Sequence, residues 1–294
     1  MENKIINLDE CVINALNLFI ADKVPILNLN EFKRPLVVGS GNAAVTGKII
    51  MEDRDAIFAD ESTFIKKLRS SHDIDGAVLI SSSGKKHAPI IARELKRRGI
   101  KVVLLTNNKN SSASTFSKKV YLFPKKPEPY TYNTSTYLGM ILAKTKEKPY
   151  LILDFLNKLD KKIPKNLDKF DSFFIIIPQE FESIREMFMN KFDELFGAKI
   201  SVRVFTPEQA KHAKTIVQSD KELFVGLGYK NNLFGRERLN LPLPKKAGYA
   251  ALMAVGYYFI GNIQKQNKPY FKKSIKGYLH EYSKIFGEKT DLIV

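Results

Sequence analysis

The sequence contains no tryptophan, a single cysteine and only four histidines. One cysteine cannot form a disulfide within the chain, so a disulfide-stapled secreted fold is excluded and a reducing compartment is favoured. The histidines, the cysteine and the carboxylates do not cluster at metal-ligand spacing. We therefore predict no metal site and no cofactor.

Long hydrophobic runs are also missing. No run approaches the roughly 18 residues that a membrane-spanning helix needs. The N-terminus lacks the charged and apolar pattern of a signal peptide. From these absences we expect a cytoplasmic protein that does not associate with a membrane.

Negative charge is scarce, because 31 Asp and Glu stand against 48 Lys and Arg and give a formal net charge of +17. Such an excess suits nucleic acid, a membrane surface or anionic metabolites. The positive charge is dispersed and mostly lysine, and no Arg-rich or aromatic-interleaved RNA-binding motif occurs. We therefore expect anionic small-molecule substrates and no nucleic-acid partner.

The pattern that is present alternates buried strands with helices, and 294 residues suit two domains. Strands predicted at 35–38, 77–80, 101–105 and 120–123 alternate with helices, which is typical of a doubly wound parallel sheet. After a polar, proline-interrupted linker the strand–helix–strand pattern restarts, which suggests an internal duplication. We predict two α/β domains, residues 1–162 and residues 163–294.

One turn carries an unusual concentration of phosphate-binding chemistry. Ser81-Ser82-Ser83-Gly84-Lys85-Lys86 lies between a predicted strand and a helix with Pro89 at its predicted first position. Turn amides and a helix N-terminus favour an anion, and hydroxyls and lysines add donors and counter-charge. An ordinary helix N-cap needs only one or two of these residues. The full cluster predicts a phosphate site.

Two further segments bear on that site. Gly39-Ser40-Gly41 follows the first strand and lacks the third glycine of a dinucleotide fingerprint. Two such turns on adjacent parallel strands would line one crevice at the carboxyl edge of the sheet. Glu128, flanked by prolines, precedes a run of hydroxyls that opens a helix. It is either part of a rigid connection with an N-cap or a carboxylate that faces the crevice.

These motifs resemble those of the double sugar-isomerase (SIS) domain proteins, which include the isomerase half of glucosamine-6-phosphate synthase and archaeal-type phosphoglucose/phosphomannose isomerases. The serine turn resembles the family's Ser-x-Ser-Gly-x-Thr, with Lys86 in place of threonine. The resemblance implies two SIS-type, flavodoxin-like doubly wound parallel-sheet domains, the first of which binds a sugar phosphate. The implied phosphate contacts are Ser40, Ser81, Ser82, Ser83 and Lys86. The other implied substrate contacts are Gly39, Gly41, Glu128, Ser135 and Thr136.

The resemblance also implies three catalytic residues in the second domain. Aldose–ketose isomerisation needs a base for the C1/C2 proton, a group that opens the sugar ring and a cation near the developing oxyanion. The family pattern assigns these roles to Glu194, His212 and Lys273, with Lys272 as an alternative lysine. In the family the histidine comes from a neighbouring subunit, so a homodimer with a shared site is expected. The alternatives that stay open are a solvated helix-end carboxylate for Glu194 and a surface residue for His212.

From these residues we predict a phosphosugar isomerase that interconverts aldose and ketose hexose 6-phosphates through an enediol. The alternatives left open are a glucosamine-6-phosphate deaminase/isomerase and a non-catalytic regulatory SIS protein that only binds a sugar phosphate. Glutamine-dependent synthesis is not expected, because the chain has no N-terminal cysteine nucleophile and no glutaminase-sized domain.

Overall fold

The computed structural model describes residues 5–287 and 290–294. The chain divides into two compact units, one built from residues 18–125 and 135–146 and the other from residues up to 17, 126–134 and 147–294. We name them the five-strand unit and the four-strand unit after the parallel sheet that each contains. Along the sequence, the strands of the first sheet precede the predicted domain boundary between residues 162 and 163, and the strands of the second sheet follow it. The position of the boundary stays a prediction.

The five-strand unit is a doubly wound sheet with the strand order β2-β1-β3-β4-β5, and every pair is parallel. Its strands are β1 (Pro35–Val38), β2 (Ile57–Ala59), β3 (Gly76–Ile80), β4 (Val102–Thr106) and β5 (Lys119–Leu122). The helices that follow them are α2 (Asn42–Met51), α3 (Phe64–Ser70), α4 (His87–Arg97) and α5 (Thr134–Thr145).

The central strands of this unit are apolar along their whole length. Every residue of β1, β3 and β4 is buried, and Thr106 at the end of β4 has no exposed surface. A parallel strand covered by helices on both faces has no polar side, which explains the continuous apolar runs. Leu36, Leu79, Leu95 and Leu104 share one core cluster.

The four-strand unit repeats the same winding with the strand order β7-β6-β8-β9. Its strands are β6 (Ser172–Ile176), β7 (Ser201–Phe205), β8 (Glu222–Leu227) and β9 (Glu237–Leu241). Its helices are α6 (Pro149–Leu159), α7 (Arg185–Phe196), α8 (Pro207–Ala213), α9 (Tyr249–Gln266) and α10 (Tyr270–Phe286), together with residues 8–17 of α1 (Leu8–Ala21). The prediction of two doubly wound parallel-sheet α/β domains is confirmed.

Helix α9 is buried almost end to end and forms the centre of the four-strand unit. The ring of Phe259 packs edge-on against Phe173 of β6, with centroids 6.1 Å apart. At Gly261 the helix meets α1 so closely that a Cβ would lie 2.1 Å from the backbone nitrogen of Asp9. Within the described residues, no helix has the length and apolarity to cross a membrane.

The structure corrects three details of the sequence analysis. Strands β2 and β9 were not predicted, because both are partly exposed and lack a continuous apolar run. Helix α4 begins at His87, so Pro89 is its third residue and not its first. Both positions lie in the first turn, where a missing N–H costs no hydrogen bond within the helix.

Candidate functional site

The two turns singled out in the sequence meet at the carboxyl edge of the first sheet. Strands β1 and β3 are parallel neighbours, with Val38 opposite Leu79. Gly39-Ser40-Gly41 and the serine turn therefore leave the sheet side by side. Ser40 lies on the first turn, and its hydroxyl donates to Glu61 at 2.5 Å.

The backbone of the serine turn is anchored by the loop that follows β4. The carbonyl of Ser82 accepts from the Thr106 hydroxyl at 2.9 Å, and the carbonyl of Ser83 accepts from the Asn108 amide at 2.8 Å. The carbonyl of Gly84 accepts from the Ser111 hydroxyl at 2.9 Å. Because the C=O and N–H of one peptide unit point in opposite directions, the amides of residues 83–85 face away from this loop.

Serine hydroxyls lie against those amides. The Ser81 hydroxyl accepts from the amide of Gly84 at 3.1 Å, and the Ser83 hydroxyl accepts from the amide of Lys85 at 3.3 Å. Lys86 is the N-cap residue of α4 and has a φ of 56°. A phosphate oxygen could replace each serine oxygen as the acceptor, and the released hydroxyls could then donate to the same anion. The arrangement is thus a compact set of donors at a helix start.

Helix α5 brings further hydroxyls to the turn. The hydroxyl of Thr136 lies 3.5 Å from that of Ser82, and Ser135 and Thr136 are both buried. Glu128 is oriented differently, because its carboxylate accepts from the amide of Thr134 at 2.8 Å and so caps the start of α5. Its backbone pairs with Val294. This contact matches the N-cap interpretation of Glu128.

In the four-strand unit, Glu194 lies in the last turn of α7 and binds a buried lysine. The ammonium of Lys191 is 2.5 Å from the Glu194 carboxylate, and the Lys191 side chain has no exposed surface. The same ammonium donates to the carbonyls of Thr131 and Tyr132, each at 3.1 Å. The rings of Tyr132 and Tyr257 lie within 6 Å of it. All three ammonium protons therefore have acceptors, and Glu194 is held in one place.

Lys191 was not identified from the sequence. A lysine three residues before a glutamate on a helix is usually a solvent-exposed pair of little energetic consequence. The only local signal was the position of Lys191 among apolar helix residues, between Met189 and Phe192. Its burial depends on tertiary packing, because the segment that contains Thr131 and Tyr132 covers it against α7.

Glu194 lines a cavity of about 560 Å³ between α7 and α10. Asp193, Thr131, Phe271 and Ser274 also line it. His212 and Lys273 do not. His212 is exposed in the last turn of α8, and Lys273 is exposed on α10, whereas Lys272 is half-buried. Within one chain the structure therefore does not gather the three predicted catalytic residues around one cavity.

The segment that resembles the family's histidine motif has clear local roles. Thr206 and Gln209 form a capping box at the start of α8. Glu208 pairs with Lys211 at 2.6 Å on the exposed face. Among residues 5–287 and 290–294, no three His, Cys, Asp or Glu side chains converge in a way that could hold a metal ion.

Burial controls the titration of two groups near this cluster. It raises the pKa of the Tyr132 phenol, whose oxygen accepts from the Gln264 amide at 2.8 Å and thus remains hydrogen-bonded. It also raises the pKa of the Cys11 thiol, so that cysteine is a poor nucleophile at neutral pH.

No protein-family model and no curated protein sequence matches the chain. Solved structures do match over most of its length. Glucosamine-6-phosphate deaminase from Thermotoga maritima is 17% identical, with a TM-score of 0.64 and coverage of 90% of this chain and 95% of that one. The chain has the SIS-type fold.

Two other solved structures with this fold come from proteins with different activities. The C-terminal domain of glucosamine-fructose-6-phosphate aminotransferase from Francisella tularensis is 16% identical, with a TM-score of 0.60 and coverage of 88% and 92%. Tagatose-6-phosphate ketose/aldose isomerase from Escherichia coli is 12% identical, with a TM-score of 0.62 and coverage of 90% and 92%. At such identities the likeness shows the SIS fold alone, so the resemblance drawn from the motifs is confirmed at the level of fold.

Proposed function

We propose that this SIS-fold chain is a phosphosugar isomerase that interconverts aldose and ketose hexose 6-phosphates through an enediol. The observation that carries the proposal is the serine turn, where the hydroxyls of Ser81 and Ser83 lie against the outward-facing amides of residues 83–85 at the start of α4. The proteins with similar structures include a sugar-phosphate isomerase and a sugar-phosphate deaminase, which supports a sugar-phosphate enzyme in general.

The phosphate would be bound by hydrogen bonds with little conformational cost. The anchored carbonyls of Ser82, Ser83 and Gly84 fix the turn before ligand arrives. A preformed set of donors loses little entropy on binding. Lys86 would supply counter-charge from the N-cap position, and Ser40 would also contact the phosphate. Ser135 and Thr136 would contact the remainder of the sugar, together with Gly39 and Gly41.

The proton transfer would use Glu194. In the open-chain sugar, Glu194 takes the proton from the carbon beside the carbonyl, and the C–H electron pair forms the enediol double bond while the carbonyl oxygen gains negative charge. The proton of the hydroxyl group on that carbon moves to the former carbonyl oxygen, and Glu194 then returns its proton to the former carbonyl carbon, so the carbonyl group moves by one position. Lys191 orients the carboxylate through the 2.5 Å contact. Lys273 would stabilise the oxyanion, and His212 from a second copy of the chain would open the ring.

A non-catalytic sugar-phosphate-binding protein is the second candidate. It is favoured by one observation, namely that His212 and Lys273 are exposed and do not line the cavity of Glu194. Deamination of glucosamine 6-phosphate remains the close enzymatic alternative, because it uses the same enediol chemistry.

The deciding experiment is proton exchange followed by NMR in deuterated water. The full chain is mixed in turn with fructose, glucose, mannose and glucosamine 6-phosphates. Deuterium at C1 or C2 supports the isomerase, and release of ammonia from glucosamine 6-phosphate identifies the deaminase. Saturable binding without exchange supports the regulatory protein. Absence of both exchange and binding contradicts a sugar-phosphate function.

Two sets of variants test the residue roles. Ser83→Ala and Lys86→Ala are expected to weaken sugar-phosphate binding by about tenfold or more, since each removes a donor to an anion. Ser112→Ala, at an exposed serine in the neighbouring loop, is the matched control. Mixing inactive His212→Asn and Glu194→Gln chains tests the shared dimer site, because mixed dimers would regain activity. Mixtures that stay inactive contradict it.

A further inference from the structure

The four-strand unit has a groove at the position that corresponds to the serine turn of the five-strand unit. The chain runs from β6 to β7 on one side and returns past β6 to β8, so the winding reverses between β6 and β8. Doubly wound sheets bind ligands at this point, outside the carboxyl ends of the strands. Here a groove of about 720 Å³ is lined by Pro178, Gly228 and Pro242, which follow β6, β8 and β9. We call it the second-sheet groove.

One wall of the groove is a rigid loop between β8 and β9. The amide of Asn231 donates to the side chain of Asn240 at 2.7 Å, and the side chain of Asn231 in turn accepts from the amides of Leu233 and Phe234. Arg238 donates to four carbonyls of residues 232–235. These bonds brace the loop that follows Tyr229 and Lys230, both of which line the groove.

Glycines keep this edge of the sheet compact. A Cβ at Gly226 would lie 2.1 Å from the carbonyl oxygen of Tyr229. At Gly228, where φ is +75°, it would lie 2.4 Å from a methyl group of Leu243. The turn after β8 can thus form only with glycine, as in other turns where the backbone approaches a neighbouring chain segment.

The charge of the groove is positive. Lys162, Lys230 and Lys246 line it and are exposed, whereas Glu180 is its sole carboxylate. None of these lysines forms an ion pair with a carboxylate in the described part of the chain, while Lys165 and Lys169 nearby in sequence do. Three ammonium groups without partner carboxylates around one concave surface favour a ligand with more than one negative charge.

The floor of the groove is apolar. Pro178, Phe181 and Leu243 line it, and Phe181 is held edge-on to Tyr249 at 5.1 Å. The groove lacks the row of hydroxyls of the serine turn, so its chemistry does not match a sugar phosphate. Its volume is within the range of small-molecule sites. We propose that the second-sheet groove binds a nucleoside di- or triphosphate, with the base on the apolar floor and the phosphates among the three lysines.

Isothermal titration of the full chain with ADP, ATP and UDP tests the proposal. Adenosine tests the nucleoside without the phosphates, and tripolyphosphate tests the phosphate chain without the nucleoside. Lys230→Glu and Lys246→Glu each reverse one groove charge. Lys245→Glu makes the same change in net charge at an exposed residue next to Lys246 that does not line the groove.

The proposal expects saturable nucleotide binding that weakens about tenfold or more in Lys230→Glu and Lys246→Glu. Lys245→Glu and Ser83→Ala are expected to bind nucleotide as the unaltered chain does. The proposal is overturned if binding does not saturate up to about 1 mM nucleotide, or if tripolyphosphate binds as tightly as ATP. It is also overturned if Lys245→Glu weakens nucleotide binding as much as the groove variants do, or if Ser83→Ala weakens it. Sugar-phosphate binding is measured separately, so its failure would contradict the proposed function and not this site.

Discussion

The ammonium of Lys191 lies 2.5 Å from the carboxylate of Glu194, and the lysine side chain is fully buried while the carboxylate is about one quarter exposed. The pair therefore presents its negative member to the cavity and its positive member to the protein interior. Two backbone carbonyls satisfy the rest of the ammonium. Such an arrangement orients a carboxylate toward a ligand without leaving a buried charge unpaired.

Replacing Glu194 by glutamine is expected to stop proton transfer while the fold is retained. Glutamine has the same shape and can still accept from Lys191, but it cannot take a proton from carbon. We expect kcat to fall by about a hundredfold or more, with little change in sugar-phosphate affinity. Asp193→Asn, which alters an exposed carboxylate on the same cavity, is the control. Full turnover in Glu194→Gln would remove Glu194 as the base.

Replacing Lys191 by methionine is expected to destabilise the fold strongly. The change leaves Glu194 without its partner and the carbonyls of Thr131 and Tyr132 without a donor, which costs about 3–5 kcal/mol. Lys211→Met removes an exposed ion pair with Glu208 and is expected to change stability far less. Urea denaturation measures both. Equal losses would show that burial adds nothing to the Lys191 pair.

Adding a methyl group at Gly84 is expected to disrupt the serine turn. A Cβ there would lie 1.8 Å from the Ser111 hydroxyl oxygen, which also donates to the Gly84 carbonyl. Gly99→Ala is the matched control, because its φ of +76° is also positive but nothing lies within 4 Å of the added atom. We expect Gly99→Ala to cost about 1–2 kcal/mol and to keep sugar-phosphate binding, whereas Gly84→Ala is expected to cost more and to lose it. Similar binding by the two variants would contradict this account of the turn.

A methyl group at Gly261 is expected to separate α9 from α1. The new Cβ would lie 2.1 Å from the backbone nitrogen of Asp9, and backbone atoms cannot move aside as a flexible side chain can. We expect a loss of about 3 kcal/mol or more, or no soluble folded protein. Gly277→Ala on α10 meets nothing within 4 Å and is expected to gain up to about 1 kcal/mol from helix propensity. Calorimetric unfolding of both variants checks the contrast.

The buried carboxyl of Asp9 is expected to make stability depend on pH. Burial raises its pKa above the ordinary 3.8, and Lys265 offsets only part of this effect. Ionisation therefore costs more in the folded state, and stability is lost as the pH rises from the unfolded pKa through the folded one. Asp9→Asn is expected to be more stable than the unaltered chain at neutral pH, and the gain should vanish as the pH falls toward 3.8.

Asp53→Asn provides the opposite case. The hydrogen bond from Lys144 lowers the pKa of Asp53. The ionised carboxylate therefore stabilises the fold at neutral pH, and this stabilisation is lost as the pH falls through the folded pKa. Because Asp53 is largely exposed, the expected loss on substitution is small. Denaturant midpoints for both variants across the pH range give the comparison. A gain that is independent of pH in Asp9→Asn would contradict the role of its ionisation.

The sequence by itself determined the elements whose signals are local. Continuous apolar runs such as Leu36–Val38, when they alternate with helices, are typical of strands in a parallel sheet that is covered on both faces. Glycine and serine turns after such runs place polar groups at the carboxyl edge of the sheet. The serine turn and the two-sheet architecture were predicted for this reason. Strands β2 and β9 were missed because partly exposed strands lack that signal.

Burial and contacts that involve residues distant in the chain could not be predicted from the sequence and are seen only in the folded structure. The burial of Lys191 requires carbonyls about 60 residues away, and the orientation of Glu128 depends on its pairing with Val294. The second-sheet groove likewise forms where segments after β6, β8 and β9 converge. The residue type determines the charge and shape of a side chain. Packing determines its desolvation and its partners, and this desolvation and these partners decide its function.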